Sequence, residues 1–161
     1  LAATARRAPS DCRRLATRSA DLALRAQGGE VAVRDLVERV TATAGVSATV
    51  EWDERLQADL DARALHELHG VVQDAVAGVV HRGRTTWVAV RATRLAGELE
   101  LVVEADGADG ASTDAGALAL RRRLGGRRAE RLGGRVDVAA SARDASVRVR
   151  FTAPWPPGAA E

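Results

Sequence analysis

The residues of this chain best suited to chemistry stand in a few places. Asp74, Gly78 and Arg82 follow one another at i, i+4 and i+8, so on a helix they share one face. An acid and a cation placed that way could meet a charged ligand. His66, Glu67 and His69 stand one to two turns earlier. Two His at i, i+3 around an acid form a metal pattern on paper, but further ligands are lacking and surface histidines are the plainer reading. Asp106, Gly107, Asp109, Gly110, Asp114 and Gly116 fall in a run rich in Gly, Asp, Ser and Ala. Glycines let a backbone approach a ligand. The three Asp could hold calcium, though their spacing is not that of an EF-hand and a plain loop explains them. Cys12 has no His near it in sequence and reads as an idle or buried thiol.

Composition excludes several chemistries. The 161 residues include one Cys, one Phe and three Trp, with no Met or Tyr. Lys, Asn and Ile are missing too, so all 24 basic residues are Arg. The scarce types have AT-rich codons, which points to a GC-rich genome. Without Lys there is no phosphate-loop lysine, no Schiff base and no kinase-type Lys–Glu pair. One Cys allows neither an internal disulfide nor a Cys-rich zinc site. With no Met to start it, the chain reads as a fragment or trimmed piece.

The net charge of +2 is close to balance but unevenly spread. Residues 117–135 carry seven Arg against Glu130 alone, and residues 51–67 carry six acids against two Arg. Stacking aromatics are nearly absent, so the Arg runs read as solvated helix faces and no nucleic-acid partner is expected. The apolar stretches fall far short of the roughly 20 residues of a membrane span. No signal-peptide pattern opens the chain. The expected location is the cytoplasm, without membrane contact in this piece, although a parent protein could be membrane-attached.

The elements that must position these residues follow from periodicity. Residues 1–26 read as a helix ended by Gly28-Gly29, and residues 31–44 as a second, closed by Gly45. Val46 to Trp52 alternates as a strand. Residues 61–82 form the strongest helix, with Leu65, Leu68, Val72, Val76 and Val79 in one stripe and Asp74, Gly78 and Arg82 on another face. Thr85–Thr93 and the segment around Leu99, Leu101 and Val103 alternate as strands about a turn at Leu95-Ala96-Gly97. Residues 106–116 form a loop, and residues 117–132 an Arg-rich helix interrupted at Gly125-Gly126. Residues 135–140 and 146–152 are two more strands. The order predicts a two-layer α/β sandwich, with a mixed, mostly antiparallel sheet on about three helices. The expected boundaries are an N-terminal helical segment at 1–28, the sandwich at 29–153 and a tail at 154–161.

Four stretches carry a family resemblance: VRDLVERVTATAGVSATVEWD, LHGVVQDAVAGVVHRG, ELELVVEADGADG, and GALALRRRL followed by AERLGGRVDV. Together they resemble the ATP-binding catalytic domain of sensor histidine kinases, the Bergerat or GHKL fold, and most closely the nitrate-sensor and degradation-sensor subfamily. The resemblance runs from about residue 31 to residue 153. It implies that residues 1–28 are the tail of a dimerisation helix. HELHG also echoes that subfamily's phosphoacceptor box. An acceptor, however, should precede the strands, so His69 is not read as one.

The resemblance implies site residues one by one. The family's long helix presents an acid and, four residues on, an Asn that binds the Mg²⁺ bridging the phosphates. Asp74 stands at the acid position and Gly78 at the Asn position. Gly has no side-chain oxygen, which Mg²⁺ needs. Arg82 is the implied phosphate contact. The first glycine box, Asp-x-Gly-x-Gly, aligns in two registers. One puts Ala105, Gly107 and Asp109 on its key positions and loses the adenine acceptor. The other puts Asp106, Ala108 and Gly110 there. Of the second glycine box Gly116 remains, and Gly125–Arg128 is a four-residue excess.

The reading is therefore a degenerate histidine-kinase ATPase-type domain, a pseudokinase, with ATP and Mg²⁺ possible but not required. It would act in two-component signalling through a protein partner: a kinase dimerisation domain, an intact kinase or a response regulator. A working ATP-binding kinase domain and an anti-sigma-factor-like binder on the same fold are the alternatives.

Overall fold

A computed structural model of the chain describes residues 28–56, 60–80, 84–107, 127–141 and 145–155. Expectations for Cys12, the N-terminal helix, Arg82, Asp109, Gly110, Asp114, Gly116 and the Arg-rich helix before residue 127 lie outside the described residues.

Helix α1 is Gly29–Ala44, with Val33, Leu36 and Val37 buried at helical spacing. Gly45 closes it in the left-handed conformation, φ 69, where a Cβ would be strained. Strand β1 is Ser47–Trp52, and a 3₁₀ turn at Glu54–Leu56 buries Leu56. Helix α2 is Ala62–Val80. Asp61 caps it, its Oδ1 accepting the Ala64 N–H at 2.6 Å. Strands β2, Trp87–Leu95, and β3, Glu98–Ala105, form a hairpin. Its two turn residues, Ala96 and Gly97, both have positive φ, the geometry that matches strand twist in a two-residue turn. Helix α3 is Arg127–Arg131, and strands β4, Arg135–Ser141, and β5, Ser146–Pro154, complete the fold.

The sheet order is β1-β2-β3-β5-β4. Strands β1 and β2 are parallel, and α2 makes the crossover that a parallel pair requires. All other pairings are antiparallel. The predicted mixed, mostly antiparallel two-layer sandwich is what forms. Alternation sorts the two sheet faces. Val88, Val90, Leu99, Leu101, Val103, Ala105, Val149 and Phe151 join the core with α1 and α2. The other face holds cross-strand pairs: Arg91–Glu51 at 2.6 Å, Arg148–Glu104 and Arg150–Glu100.

Several boundaries shift by one or two residues from expectation, the helix α1 among them, which starts at Gly29 rather than residue 31. Strand β2 starts at Trp87, not Thr85: the Thr86 N–H goes to the Asp106 carboxylate and the Thr85 hydroxyl to the Val79 carbonyl, so of these two residues only the Thr86 carbonyl, which accepts the Ser47 N–H at 3.0 Å, meets β1. Strand β2 runs on to Leu95 because the hairpin turn needs only two residues. At the other end, β5 continues through Pro154, two residues past its expected end and one residue into the segment set apart as a tail. Trp155 is buried there. Its N–H donates to the Gly97 carbonyl at 2.8 Å, and Arg94 lies 5.7 Å from its ring centroid, within cation–π range. Leaving this large apolar side chain in water would forgo its burial energy.

Candidate functional site

Thr85 ties together the two elements that should build the site. Its hydroxyl lies 2.9 Å from the Val79 carbonyl at the end of α2 and 3.3 Å from the Asp106 carbonyl just past β3. The end of the long helix and the exit of the third strand therefore meet at one residue.

At that exit the period of two decides which side chain faces where. Leu99, Leu101, Val103 and Ala105 all point to the core, and Ala105 is fully buried. Asp106 consequently points the other way. Its carboxylate accepts the Thr86 N–H at 2.7 Å, the Trp87 N–H at 3.0 Å and the Thr86 hydroxyl. Burial opposes the charge on Asp106, but these hydrogen bonds outweigh it and hold its pKa below the ordinary carboxylate value. Gly107 has φ 82, and a Cβ there would lie 2.7 Å from the Arg84 carbonyl group. Only glycine fits this bend. The inward position is thus Ala105, which has no hydrogen-bonding side chain, while Asp106 closes the start of β2.

On α2, Asp74 is half exposed and Gly78 half buried. Asp74 is paired: its Oδ2 lies 3.3 Å from Arg128 Nε. The same guanidinium lies 3.5 Å, through Nη1, from Oε2 of Glu67, whose side chain is only 7% exposed. Arg131 donates to the other Glu67 oxygen at 2.8 Å. Between the two acids sits Gly70, and a Cβ on it would fall 2.6 Å from Arg128 Cζ and 2.8 Å from Nε. Glu67, Gly70 and Asp74, at i, i+3 and i+7, are one face of α2, and Arg128 lies across it. His69 stands beside them. Desolvation first, then the charges of Arg39, His66 and Arg128, hold its pKa below the ordinary imidazole value.

Of the expected site residues, Asp74 and Gly78 share the helix, and Asp106 and Gly107 share the β3 exit. Glu67 is the buried partner of two Arg. Among the described residues no group of three or more His, Cys, Asp or Glu is arranged for a metal ion, and no helix is long and apolar enough to cross a membrane. Sequence reasoning missed Gly70, Arg128 and Arg131. The available signal was Gly70 itself, a helix-interior Gly with acids at i−3 and i+4. Glycine there costs about 1 kcal/mol relative to Ala, so something must need its missing Cβ.

No family profile matches the sequence, and no curated protein matches it. Solved structures do match in shape. The histidine kinase domain of the Erythrobacter litoralis blue-light activated histidine kinase superposes with a TM-score of 0.59 and 13% identity, over 79% of this chain and 61% of that one. A second structure of that kinase gives 0.60 and 15%, over 90% and 49%. The Acinetobacter baumannii histidine kinase AdeS gives 0.54 and 9%, over 91% and 81%. The present chain therefore spans about half to three-fifths of the two Erythrobacter structures. At these identities the likeness is one of fold: the sandwich has the architecture found in histidine kinase catalytic domains.

Proposed function

We propose that this chain is a histidine-kinase-type ATPase domain with an impaired nucleotide site, acting as a regulatory or interaction domain in cytoplasmic two-component signalling. The observation that carries the reading is the exit of β3. The side chain facing inward is Ala105, and the neighbouring carboxylate, Asp106, is turned onto Thr86 and Trp87. An adenine amino group would find no acceptor at the inward position.

The donors also do not fit Mg²⁺, which prefers several oxygen ligands in octahedral geometry. Gly78 offers no side-chain oxygen, and Asp74 is engaged by Arg128. The placement in the nitrate-sensor and degradation-sensor subfamily rests on the stretch LHGVVQDAVAGVVHRG. The partner, on this reading, is a kinase dimerisation domain, an intact kinase or a response regulator.

One observation favours the alternative of a working ATP-binding domain. Gly107 keeps the bend that the first glycine box needs. Titration with ATP or ADP plus Mg²⁺, followed by heat and by melting temperature, separates the two. The expected result is a stable fold with no binding at micromolar nucleotide. Micromolar, Mg²⁺-dependent binding overturns the impaired reading. Pull-down against the three partner classes then tests the interaction role, and a domain that retains none of them counts against it.

A further inference from the structure

We propose that Arg128 is an internal latch on α2: seated over Gly70, it engages the Asp74 carboxylate and keeps that acid from any ligand approaching the helix. The proposal rests on the nucleotide-site reading above and adds to it a means of control.

The seat is built. Residue 70 lies in the interior of a 19-residue helix, where Ala would be the better helix former. A Cβ there would fall 2.6 Å from Arg128 Cζ and 2.8 Å from Nε, so the guanidinium occupies space that only glycine leaves open. Acids flank the seat on both sides, Glu67 one turn before and Asp74 one turn after, and Arg128 reaches both.

The two contacts differ in kind. Glu67 is 7% exposed and Arg131 also holds it, at 2.8 Å, so its charge stays paired when Arg128 moves. Asp74 is 45% exposed and Arg128 37%. Ion pairs with this much water around them are weak and open readily. Arg128 can therefore leave Asp74 while Arg131 keeps the buried Glu67 paired. The latch closes by default and opens at low cost.

Two substitutions release it by different routes. Arg128→Gln removes the charge. Gly70→Ala keeps the charge but fills the seat, and it favours the helix, so it should fold. The probe is ADP with Mg²⁺, titrated to millimolar concentration by NMR. In parallel, labelling of Asp74 with carbodiimide and an amine is read by mass spectrometry. The expected result is faster labelling of Asp74 in both variants and nucleotide affinity raised about fivefold in both, the equivalent of ~1 kcal/mol. Adding Asp74→Asn to either variant should cancel the gain in affinity. The proposal is overturned if labelling does not change, if labelling rises while affinity stays within twofold of the unsubstituted chain, or if none of the three proteins binds at millimolar nucleotide. Micromolar binding by the unsubstituted chain would sink the impaired reading but not this one, provided that both variants bind tighter still.

Discussion

Arg131 donates to Glu67 Oε1 at 2.8 Å and so ties a five-residue helix to the N-terminal third of a 19-residue one across a buried carboxylate. The two residues are 64 positions apart. A helix of five residues has little stability of its own, so its position depends on Ala129 and Leu132 in the core and on this pair.

Arg131→Ala should destabilise the fold by about 1–2 kcal/mol, because Arg128 still faces Glu67. Removing both Arg128 and Arg131 should cost about 3–5 kcal/mol, since the buried carboxylate then has no cation. Urea unfolding of the two single variants and the double variant checks this. Additive losses would show that the two Arg do not share Glu67.

Asp106→Ala should lower stability by about 1–2 kcal/mol, as the Thr86 and Trp87 amides lose their acceptor. It should leave any nucleotide response unchanged, because the carboxylate points away from the core-facing position. Thermal unfolding alongside an ADP titration tests both halves. A change in nucleotide affinity with an unchanged melting temperature would mean that Asp106 faces a ligand.

His69 makes stability pH-dependent. Its pKa is lowered in the fold by desolvation and by the charges of Arg39, His66 and Arg128. The unfolded chain therefore binds the proton at a higher pH than the folded one. The contribution is fully present above the ordinary imidazole value of about 6.5, and it is lost as pH falls through the lower folded value. The melting temperature should drop on acidification below about pH 6.5, and His69→Gln should flatten that slope. An identical slope in the variant would assign the effect to other groups.

Phe151→Ala should cost about 3–5 kcal/mol. Phe151 is fully buried in the inner face of β5, paired with Leu101 and Val136 on its two neighbours. The loss should appear as a lower denaturation midpoint with little change in slope. A loss below about 1 kcal/mol would mean that the core collapses around the gap.

Much of the fold is legible in the residues. The alternation of Leu99, Leu101 and Val103, the spacing of Leu65, Leu68, Val72, Val76 and Val79, and the glycine stop at Gly45 are local signals, and each element formed within two residues of its expected bounds where it is described. Local period translates directly into burial because one side of each element must face the core. The strand boundary at Trp87 was not legible, since it depends on a carboxylate 19 positions away.

The sequence by itself determined the sandwich and two negative facts about the site: residue 78 is Gly, and the chain contains no Asn to replace it. It left two registers open for the glycine box. Tertiary structure decided between Ala105 and Asp106 as the inward residue, because the pairing of β3 with β2 and β5 sets the parity of the whole strand. It also joined Arg128 to Gly70 and Asp74. That contact has no local pattern, because the guanidinium arrives from another helix and what receives it is an absent Cβ.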